Sequence, residues 1–178
     1  RLRQIEQEPQ EPPDPVNAVS IGCLLGDLKL EQVSFGYDPA QPVLRSVDLS
    51  VQAGEVLALV GPSGAGKSTL FSLLLRFNTV QQGRILLDGH DLSRLRARDL
   101  RRQVALVPQR TTVFSGSVAE AIRFGRPASD EDVEQAARLA NADDFIRALP
   151  HGYGTQLEER GSNVSGGQLQ RIAIARAV

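Results

Sequence analysis

A run of nine residues in the first half of the chain has the types and the spacing needed to bind a phosphate group. It contains three glycines followed by a lysine and a serine, and it fits the pattern G-x-x-x-x-G-K-[ST]. Glycines let the backbone curl so that several N–H groups point at one anion. The lysine adds a point charge, and the serine hydroxyl is a possible Mg²⁺ ligand. The residues of this loop are Gly61, Pro62, Ser63, Gly64, Ala65, Gly66, Lys67, Ser68 and Thr69.

The segments on either side of the loop have the character needed to support it. Residues 55–60 contain a continuous apolar run, which predicts a buried parallel strand. Residues 67–77 are apolar on most faces and predict a helix buried against a sheet. The positive N-terminal end of that helix would favour the same anion as the loop. The structural alternative is a glycine-rich turn that binds nothing.

A second motif begins the last predicted helix with the residues Ser165, Gly166, Gly167 and Gln168. Ser165 and Gln168 have the spacing of a capping box, which is a purely structural interpretation. The box does not explain two glycines in the first turn, each about 1 kcal/mol less favourable there than alanine. Close approach of an anion to the backbone would explain them. One triphosphate does not need two such helix ends, so the second could serve a nucleotide held by another copy of the protein.

Composition limits the alternatives for the rest of the chain. The 178 residues predict one domain, and a net charge of −1 gives no general attraction to nucleic acid. The single cysteine, Cys23, excludes an intrachain disulfide. Residues 1–27 are predicted to be a linker or tail, because residues 6–15 are rich in Glu, Gln and Pro. The sequence contains no run of 18 apolar residues that would predict a membrane span.

The remaining pattern predicts an α/β chain whose character changes from strands to helices. Further strands are predicted from apolar alternation and turn residues, and helices from apolar periodicity and capping residues. The predicted strands are residues 28–35, 43–51, 83–88 and 104–107. The predicted helices of the second half are residues 115–124, 129–140, 142–149 and 166–178.

Over residues 28–178 the sequence resembles the nucleotide-binding domain of exporter-type ABC transporters, including bacterial lipid and multidrug exporters. Residues 61–69 match the family's Walker A loop, and residues 165–168 match its signature. Tyr37 resembles the aromatic residue that stacks on adenine, and Gln109 resembles the Q-loop glutamine. The Glu-Arg-Gly sequence at residues 159–161 matches the exporter X-loop.

This resemblance implies a P-loop NTPase core with an N-terminal antiparallel β-subdomain and an inserted helical subdomain at about residues 112–178. It implies ATP and Mg²⁺ as cofactors, with Ser68 and Gln109 as metal ligands. The partners would be a transmembrane domain fused before residues 1–27 and a second nucleotide-binding domain, with no nucleic acid. The two domains would dimerise head to tail, so that residues 165–168 contact the ATP of the other copy. The site would lie at the cytoplasmic face of a membrane.

The resemblance also implies an ATPase whose hydrolytic residues lie elsewhere. In the family the Walker B aspartate, the catalytic glutamate and the switch histidine all follow the signature helix, and we assign no catalytic residue within this chain. We therefore expect a partial domain that lacks the C-terminal part of the core, binds nucleotide weakly by itself and hydrolyses it negligibly. For the parent protein we expect an ATP-driven membrane exporter. Two alternatives to it remain open, namely a soluble ABC-class ATPase without a transport function and a P-loop protein of another class such as a kinase or GTPase.

Overall fold

The computed structural model describes residues 11, 13–38, 40–109, 116–158 and 161–178. These residues form two compact units that divide after Val104. No helix among them has the length and apolar character of a membrane span. The first unit contains β1 (Leu28–Phe35), β2 (Leu44–Val51), α1 (Lys67–Leu74), β3 (Gln82–Leu87), β4 (His90–Asp91), a 3-10 helix (Leu92–Arg94) and α2 (Ala97–Gln103). The second contains β5 (Gly116–Ser117), α3 (Val118–Arg123), α4 (Asp130–Leu139), α5 (Asp143–Arg147), a 3-10 helix (Gly152–Gly154), β6 (Gln156–Leu157) and α6 (Gly166–Ala177).

The first unit is built on an antiparallel sheet with the strand order β2-β1-β3-β4. The apolar alternation of β1 slips by one position in the sequence, and the structure shows a register shift between Leu30 and Val33 at that point. The shift keeps both side chains in the core, where they are 1% and 0% exposed. Leu70 and Leu73 of α1 belong to the same core. The sheet therefore holds α1 through a shared apolar core.

Two predicted strands, of which that at residues 55–60 was predicted to be buried, are wrong for this structure. Residues 55–60 form no strand, and Val56 and Val60 are 96% and 90% exposed. Residues 104–107 also form no strand, and Leu106 is 45% exposed. A strand needs a neighbour with which to exchange backbone hydrogen bonds, and neither segment lies in a sheet of the described chain. The loop that binds phosphate in our interpretation therefore follows an irregular, exposed segment.

The second unit is a small helical core. Helices α3, α4, α5 and α6 contribute Val118, Ala137, Ile146 and Ile172, all 0% exposed. Helices α3 and α4 begin at serines, Ser117 and Ser129, and each serine forms a complete capping box with the third residue of its helix. The box at Ser129 confirms the predicted start of that helix. Helix α3 begins later than predicted because residues 116–117 pair with β6 instead.

A polar cluster joins α5 to the following 3-10 helix in this second unit. The Tyr153 hydroxyl donates to Asp143 Oδ1 at 2.5 Å, and Arg147 Nε donates to both oxygens of the same carboxylate at 2.9 and 3.0 Å. These bonds, with that from Tyr153 the strongest, hold the pKa of Asp143 below its ordinary value of 3.8. Desolvation and the neighbouring carboxylate raise the pKa of the Tyr153 phenol. The cluster therefore favours an ionised Asp143 in the folded state.

The described part of residues 1–27 makes specific contacts that its composition did not predict. Asp14 Oδ1 accepts a hydrogen bond from the Ala97 N–H at 2.9 Å and pairs with Arg76 at 3.0 Å. Helix α2 has no side-chain cap from its own N-cap residue, Arg96, so Asp14 supplies a cap from a distant part of the chain. The Ala97 N–H is the main cause of the lowered pKa of Asp14. Val19 forms an isolated parallel bridge with Leu95 beside this contact.

A single carboxylate fixes the chain where it enters β1. Asp88, in the turn after β3, accepts backbone N–H bonds from Leu25, Gly26 and Asp27 at 2.5, 3.0 and 2.7 Å. Three donors on one carboxylate satisfy most of its acceptor capacity. The start of β1 is thereby attached to the end of β3 by side-chain bonds as well as by strand pairing.

Candidate functional site

The glycines of the phosphate-binding loop have conformations that other residues rarely adopt. Gly64 and Gly66 both have φ of 84°, in the left-handed region. Gly66 is also confined by its neighbours. A Cβ atom on it would lie 2.8 Å from Leu44 Cδ2 and 3.2 Å from Val43 Cγ1. A Cβ atom at residue 66 would therefore require the Leu44 and Val43 side chains to shift.

Helix α1 begins directly after its N-cap residue, Gly66, and has no side-chain cap. Its first intrahelical bond is that from the Leu70 N–H to the Gly66 carbonyl at 3.0 Å. The N–H groups of residues 67–69 come before this bond and so have no intrahelical acceptor. The first turn of α1 also contains no acidic side chain. This helix end therefore presents backbone donors and the positive end of the helix dipole, which together favour an anion.

The Lys67 ammonium group bonds back to the first two residues of the loop. Its Nζ donates to the carbonyl oxygens of Gly61 and Pro62, both at 2.7 Å. An ammonium has three donors, so one remains for another acceptor. Ser68 is exposed, whereas Thr69 is buried, at 6% exposure. Of the two hydroxyls in the first turn, that of Ser68 is the more open to a ligand.

Tyr37 stands just beyond the end of β1 with its ring exposed. Tyr37 is 66% exposed, and its ring meets the buried Phe35 ring edge to face, with centroids 5.2 Å apart. Phe35 lies opposite Leu44 in the β1–β2 pair, and Leu44 is also the residue that confines Gly66. The strand pair that holds Tyr37 therefore also supports the phosphate-binding loop. An exposed aromatic face in this position can accept a planar ring by stacking.

The side chain that holds the backbone before Tyr37 was not predicted from the sequence. The Gln81 amide bonds both the N–H and the C=O of Gly36, at 3.0 and 2.9 Å. The two residues are 45 positions apart, and no sequence signal links them. Only the three-dimensional fold brings this pair together.

The second unit contains the other predicted site residues. Gln109 is exposed, and the residues that follow it, 110–115, lie outside the described part of the chain. Residues 159 and 160 of the predicted X-loop also lie outside it, whereas Gly161 is described. Within the described residues, no group of three or more histidine, cysteine or acidic side chains is arranged for a metal ion. A bound cation would therefore rely on isolated side-chain oxygens and on its other ligands.

The Ser165 motif forms the capping box that its spacing predicted. The Ser165 N–H donates to Gln168 Oε1 at 2.8 Å, and the Gln168 N–H donates to Ser165 Oγ at 3.2 Å. This box accounts for Ser165 and Gln168 but not for the two glycines between them. A Cβ atom on Gly166 or Gly167 would meet nothing within 4 Å, and neither glycine has a positive φ. Neither the backbone nor the packing of this unit requires glycine at these two positions.

Comparison with known proteins defines the class to which this fold and these motifs belong. A family model described as "ABC transporter" matches residues 44–178. The chain therefore belongs to the ABC transporter family, and both the resemblance noted in the sequence and the predicted fold class are confirmed.

The similar proteins are much longer than this chain. The mitochondrial iron-sulfur clusters transporter atm1 of Aspergillus fumigatus is 46% identical over 154 residues, which cover 86% of this chain and 21% of that protein. The uncharacterized ABC transporter ATP-binding protein YfiC of Bacillus subtilis is 45% identical over 179 residues, covering 100% of this chain and 30% of YfiC. The solved structure of a bacterial Atm1-family ABC exporter with ATP bound superposes with a TM-score of 0.91 at 41% identity, covering 99% of this chain and 31% of that one.

Proposed function

We propose that this chain is the ATP-binding motor segment of an ABC exporter, in which ATP binding and hydrolysis drive transport across a membrane. The observation that carries the proposal is the uncapped start of α1 beside the Lys67 ammonium, which supplies donors suited to a phosphate. The similar structure with ATP bound and the relatives named as transporters support it. Because the chain spans at most 31% of these proteins, transport is a property of the whole protein.

We assign the phosphates, the adenine ring and the bound Mg²⁺ to different residues of the chain. Backbone N–H groups within residues 61–69, where Pro62 has none, and the Lys67 ammonium hold the phosphates, and the exposed ring of Tyr37 stacks on adenine. The Ser68 hydroxyl and the Gln109 side-chain oxygen are the proposed ligands of Mg²⁺. This ion commonly takes only one or two ligands from the protein, and phosphate oxygens and water supply the others. Bound Mg²⁺ would neutralise charge that develops on the phosphates. The accessibility of Ser68 and Gln109 is compatible with this role.

We further propose that a second nucleotide-binding domain completes the site. Gly166 and Gly167 are open to the outside and are not required by their own helix, so a ligand brought by a partner is a physical reason for them. In this arrangement the N-terminal end of α6 contacts the ATP held by the loop of the other copy. Residues 28–178 then form part of a nucleotide-binding domain at the cytoplasmic face of the membrane. Residues 1–27 connect this domain to a fused transmembrane domain.

The sharpest test compares the only two lysines of the chain, Lys67 and Lys29, in the intact protein. Lys67→Ala should lower ATP affinity at least tenfold, because the ammonium that reaches the phosphates is lost (about 1.4 kcal/mol or more). Lys29→Ala is the matched control. Lys29 pairs with Glu31 on the surface of β1 and should bind ATP as the wild type does. Equal affinities of the two variants would contradict the proposal.

Transport is tested separately from nucleotide binding. Vesicles that contain the intact protein should accumulate or release a substrate only with ATP, and the Lys67→Ala variant should not. An intact protein that is soluble without a membrane or detergent and still hydrolyses ATP would favour the alternative, a soluble ABC-class ATPase.

A further inference from the structure

The Gln81 side chain forms hydrogen bonds with both the backbone N–H and the backbone carbonyl of Gly36. The Gly36 N–H donates to Gln81 Oε1 at 3.0 Å, and Gln81 Nε2 donates to the Gly36 carbonyl at 2.9 Å. A third bond, from the Gln81 backbone N–H to the Ser34 carbonyl at 3.1 Å, fixes the base of the same side chain. The Gly36 carbonyl belongs to the peptide bond that leads to Tyr37. Gln81 therefore sets the direction in which the backbone leaves for Tyr37.

The other side of Gly36 is closed by the turn that follows Tyr37. A Cβ atom on Gly36 would lie 2.7 Å from the Gln41 carbonyl oxygen and 2.8 Å from that of Asp38. The Gln41 N–H donates to the Asp38 carbonyl at 2.9 Å, which links the two residues that carry these oxygens. Gly36 is thus held between the turn on one side and the Gln81 amide on the other.

Among the described residues, the ring contact that orients Tyr37 is the edge-to-face contact with Phe35, and Tyr37 remains 66% exposed. The ring direction therefore depends strongly on the backbone that Gln81 holds. We infer that Gln81 is a positioning residue for the adenine ring, which it serves by fixing the peptide bond before Tyr37. This inference rests on the proposed role of Tyr37 in stacking on adenine.

The inference requires a side chain that both donates and accepts at this reach. A glutamine amide does both, whereas a glutamate accepts the Gly36 N–H but, when ionised, cannot donate to the Gly36 carbonyl. Methionine has a similar length and can replace neither bond adequately. The variants Gln81→Glu and Gln81→Met therefore remove one and both bonds respectively.

The experiment measures the affinity of the intact protein for ATP and for inorganic tripolyphosphate, which has no base. Gln81→Met should weaken ATP binding by about threefold to tenfold, the loss expected from two partly exposed neutral hydrogen bonds, and should leave tripolyphosphate binding unchanged. The ATP affinity of Gln81→Glu should be no lower than that of Gln81→Met and no higher than that of the wild type. Gln82→Met is the control at the neighbouring glutamine and should bind both ligands normally. Equal losses for ATP and tripolyphosphate would overturn the inference, because they would indicate a general effect on the fold.

A double-mutant cycle separates this inference from the proposed function. If Gln81 acts through Tyr37, then Gln81→Met should cause no further loss of ATP affinity in a Tyr37→Ala background. Additive losses would overturn the inference. If Tyr37→Ala weakens ATP binding but Gln81→Met does not, the role of Gln81 fails and that of Tyr37 stands. If Tyr37→Ala binds ATP normally, both roles fail, whereas an unaffected Lys67→Ala variant would contradict the proposed ATP site itself.

Discussion

Leu44 Cδ2 lies 2.8 Å from the point that a Cβ atom on Gly66 would occupy. Leu44 is also 7% exposed and paired with Phe35 across the β1–β2 ladder, so it has little freedom to move away. The first residue of β2 thereby sets the path of the phosphate-binding loop at the point where α1 begins. The glycine that the sequence motif explains by its ligand is therefore also favoured by its packing against Leu44.

The first prediction uses two glycines that share one backbone conformation. Gly64 and Gly66 both have φ of 84°, but of the two only Gly66 has a neighbour within 4 Å of the point where a Cβ atom would lie. Gly64→Ala should lower the free energy of unfolding by about 1 kcal/mol through backbone strain alone. Gly66→Ala should lower it by about 2–4 kcal/mol, because overpacking adds to the same strain. Denaturant titration of both variants measures the difference.

Leu44→Ala supplies the control for this comparison. Removing the Leu44 side chain makes room at residue 66, so Gly66→Ala should cost less in the Leu44→Ala background than in the wild type. Equal costs in the two backgrounds would show that Leu44 is not what confines Gly66.

The second prediction separates stability from activity at Gly167. Alanine there meets nothing within 4 Å and improves helix propensity, so Gly167→Ala should raise the free energy of unfolding by up to about 1 kcal/mol. The same variant should lower ATP hydrolysis by the intact protein while leaving ATP binding unchanged, since the added methyl group obstructs the approach of a partner's nucleotide. Steady-state hydrolysis and thermal unfolding are the two measurements.

Gln170→Ala is the matched control for Gly167→Ala. Gln170 is exposed in the same helix, and its replacement should stabilise slightly without affecting hydrolysis. Full hydrolysis by Gly167→Ala would argue against a ligand at this end of α6.

The third prediction concerns the acid dependence of stability at Asp143. Its pKa in the folded state is lowered, chiefly by the Tyr153 hydroxyl and then by Arg147. Its contribution to stability is therefore fully present above the unfolded value, near 3.8, and is lost as the pH falls through the lower, folded value. Tyr153→Phe should cost about 1–2 kcal/mol at neutral pH, because it removes a hydrogen bond to a carboxylate.

The measurement is the free energy of unfolding as a function of pH. The curve of Tyr153→Phe should converge on that of the wild type as acid removes the charge on Asp143. Tyr37→Phe is the control, because the exposed Tyr37 has no part in this cluster. Parallel wild-type and Tyr153→Phe curves throughout the acidic range would contradict the assigned cause of the shift.

The fourth prediction tests the cap that Asp14 supplies to α2. Asp14→Ala leaves the Ala97 N–H without its acceptor and should lower the free energy of unfolding by about 1 kcal/mol. Asp14→Asn keeps an oxygen at the same place and should lose less. The Asp14 side chain is 39% exposed, so we expect its ion pair with Arg76 to contribute little. A loss from Asp14→Asn equal to that from Asp14→Ala would show that the charge, rather than the cap, matters.

Features that depend on residues close in sequence could be predicted from the sequence. The capping boxes at Ser129 and Ser165 join residues three positions apart, and the structure forms both. The phosphate-binding loop is likewise one continuous motif, and the helix that follows it begins at Lys67 as expected.

Features that depend on distant residues could not be predicted. The Gln81 amide reaches Gly36 across 45 residues, and the Asp14 cap reaches Ala97 across 83. No local pattern marks such pairs, because any glutamine or aspartate would look the same in the sequence. The prediction of a strand at residues 55–60 was wrong for a related reason. Its composition favours a strand, but strand formation depends on a neighbouring strand that a local pattern does not supply.

In the proposed site, ligand binding would add order to the uncapped start of α1. Helices α3, α4 and α6 carry their own serine caps, whereas the donors of α1 would gain acceptors from a bound anion. By thermodynamic linkage, a ligand that binds only the ordered turn stabilises it by RT ln(1 + [L]/Kd), which is about 2.7 kcal/mol at a hundredfold excess over Kd. Amide hydrogen exchange at the start of α1 would then slow as nucleotide is added, so this turn reports how much of the site is occupied.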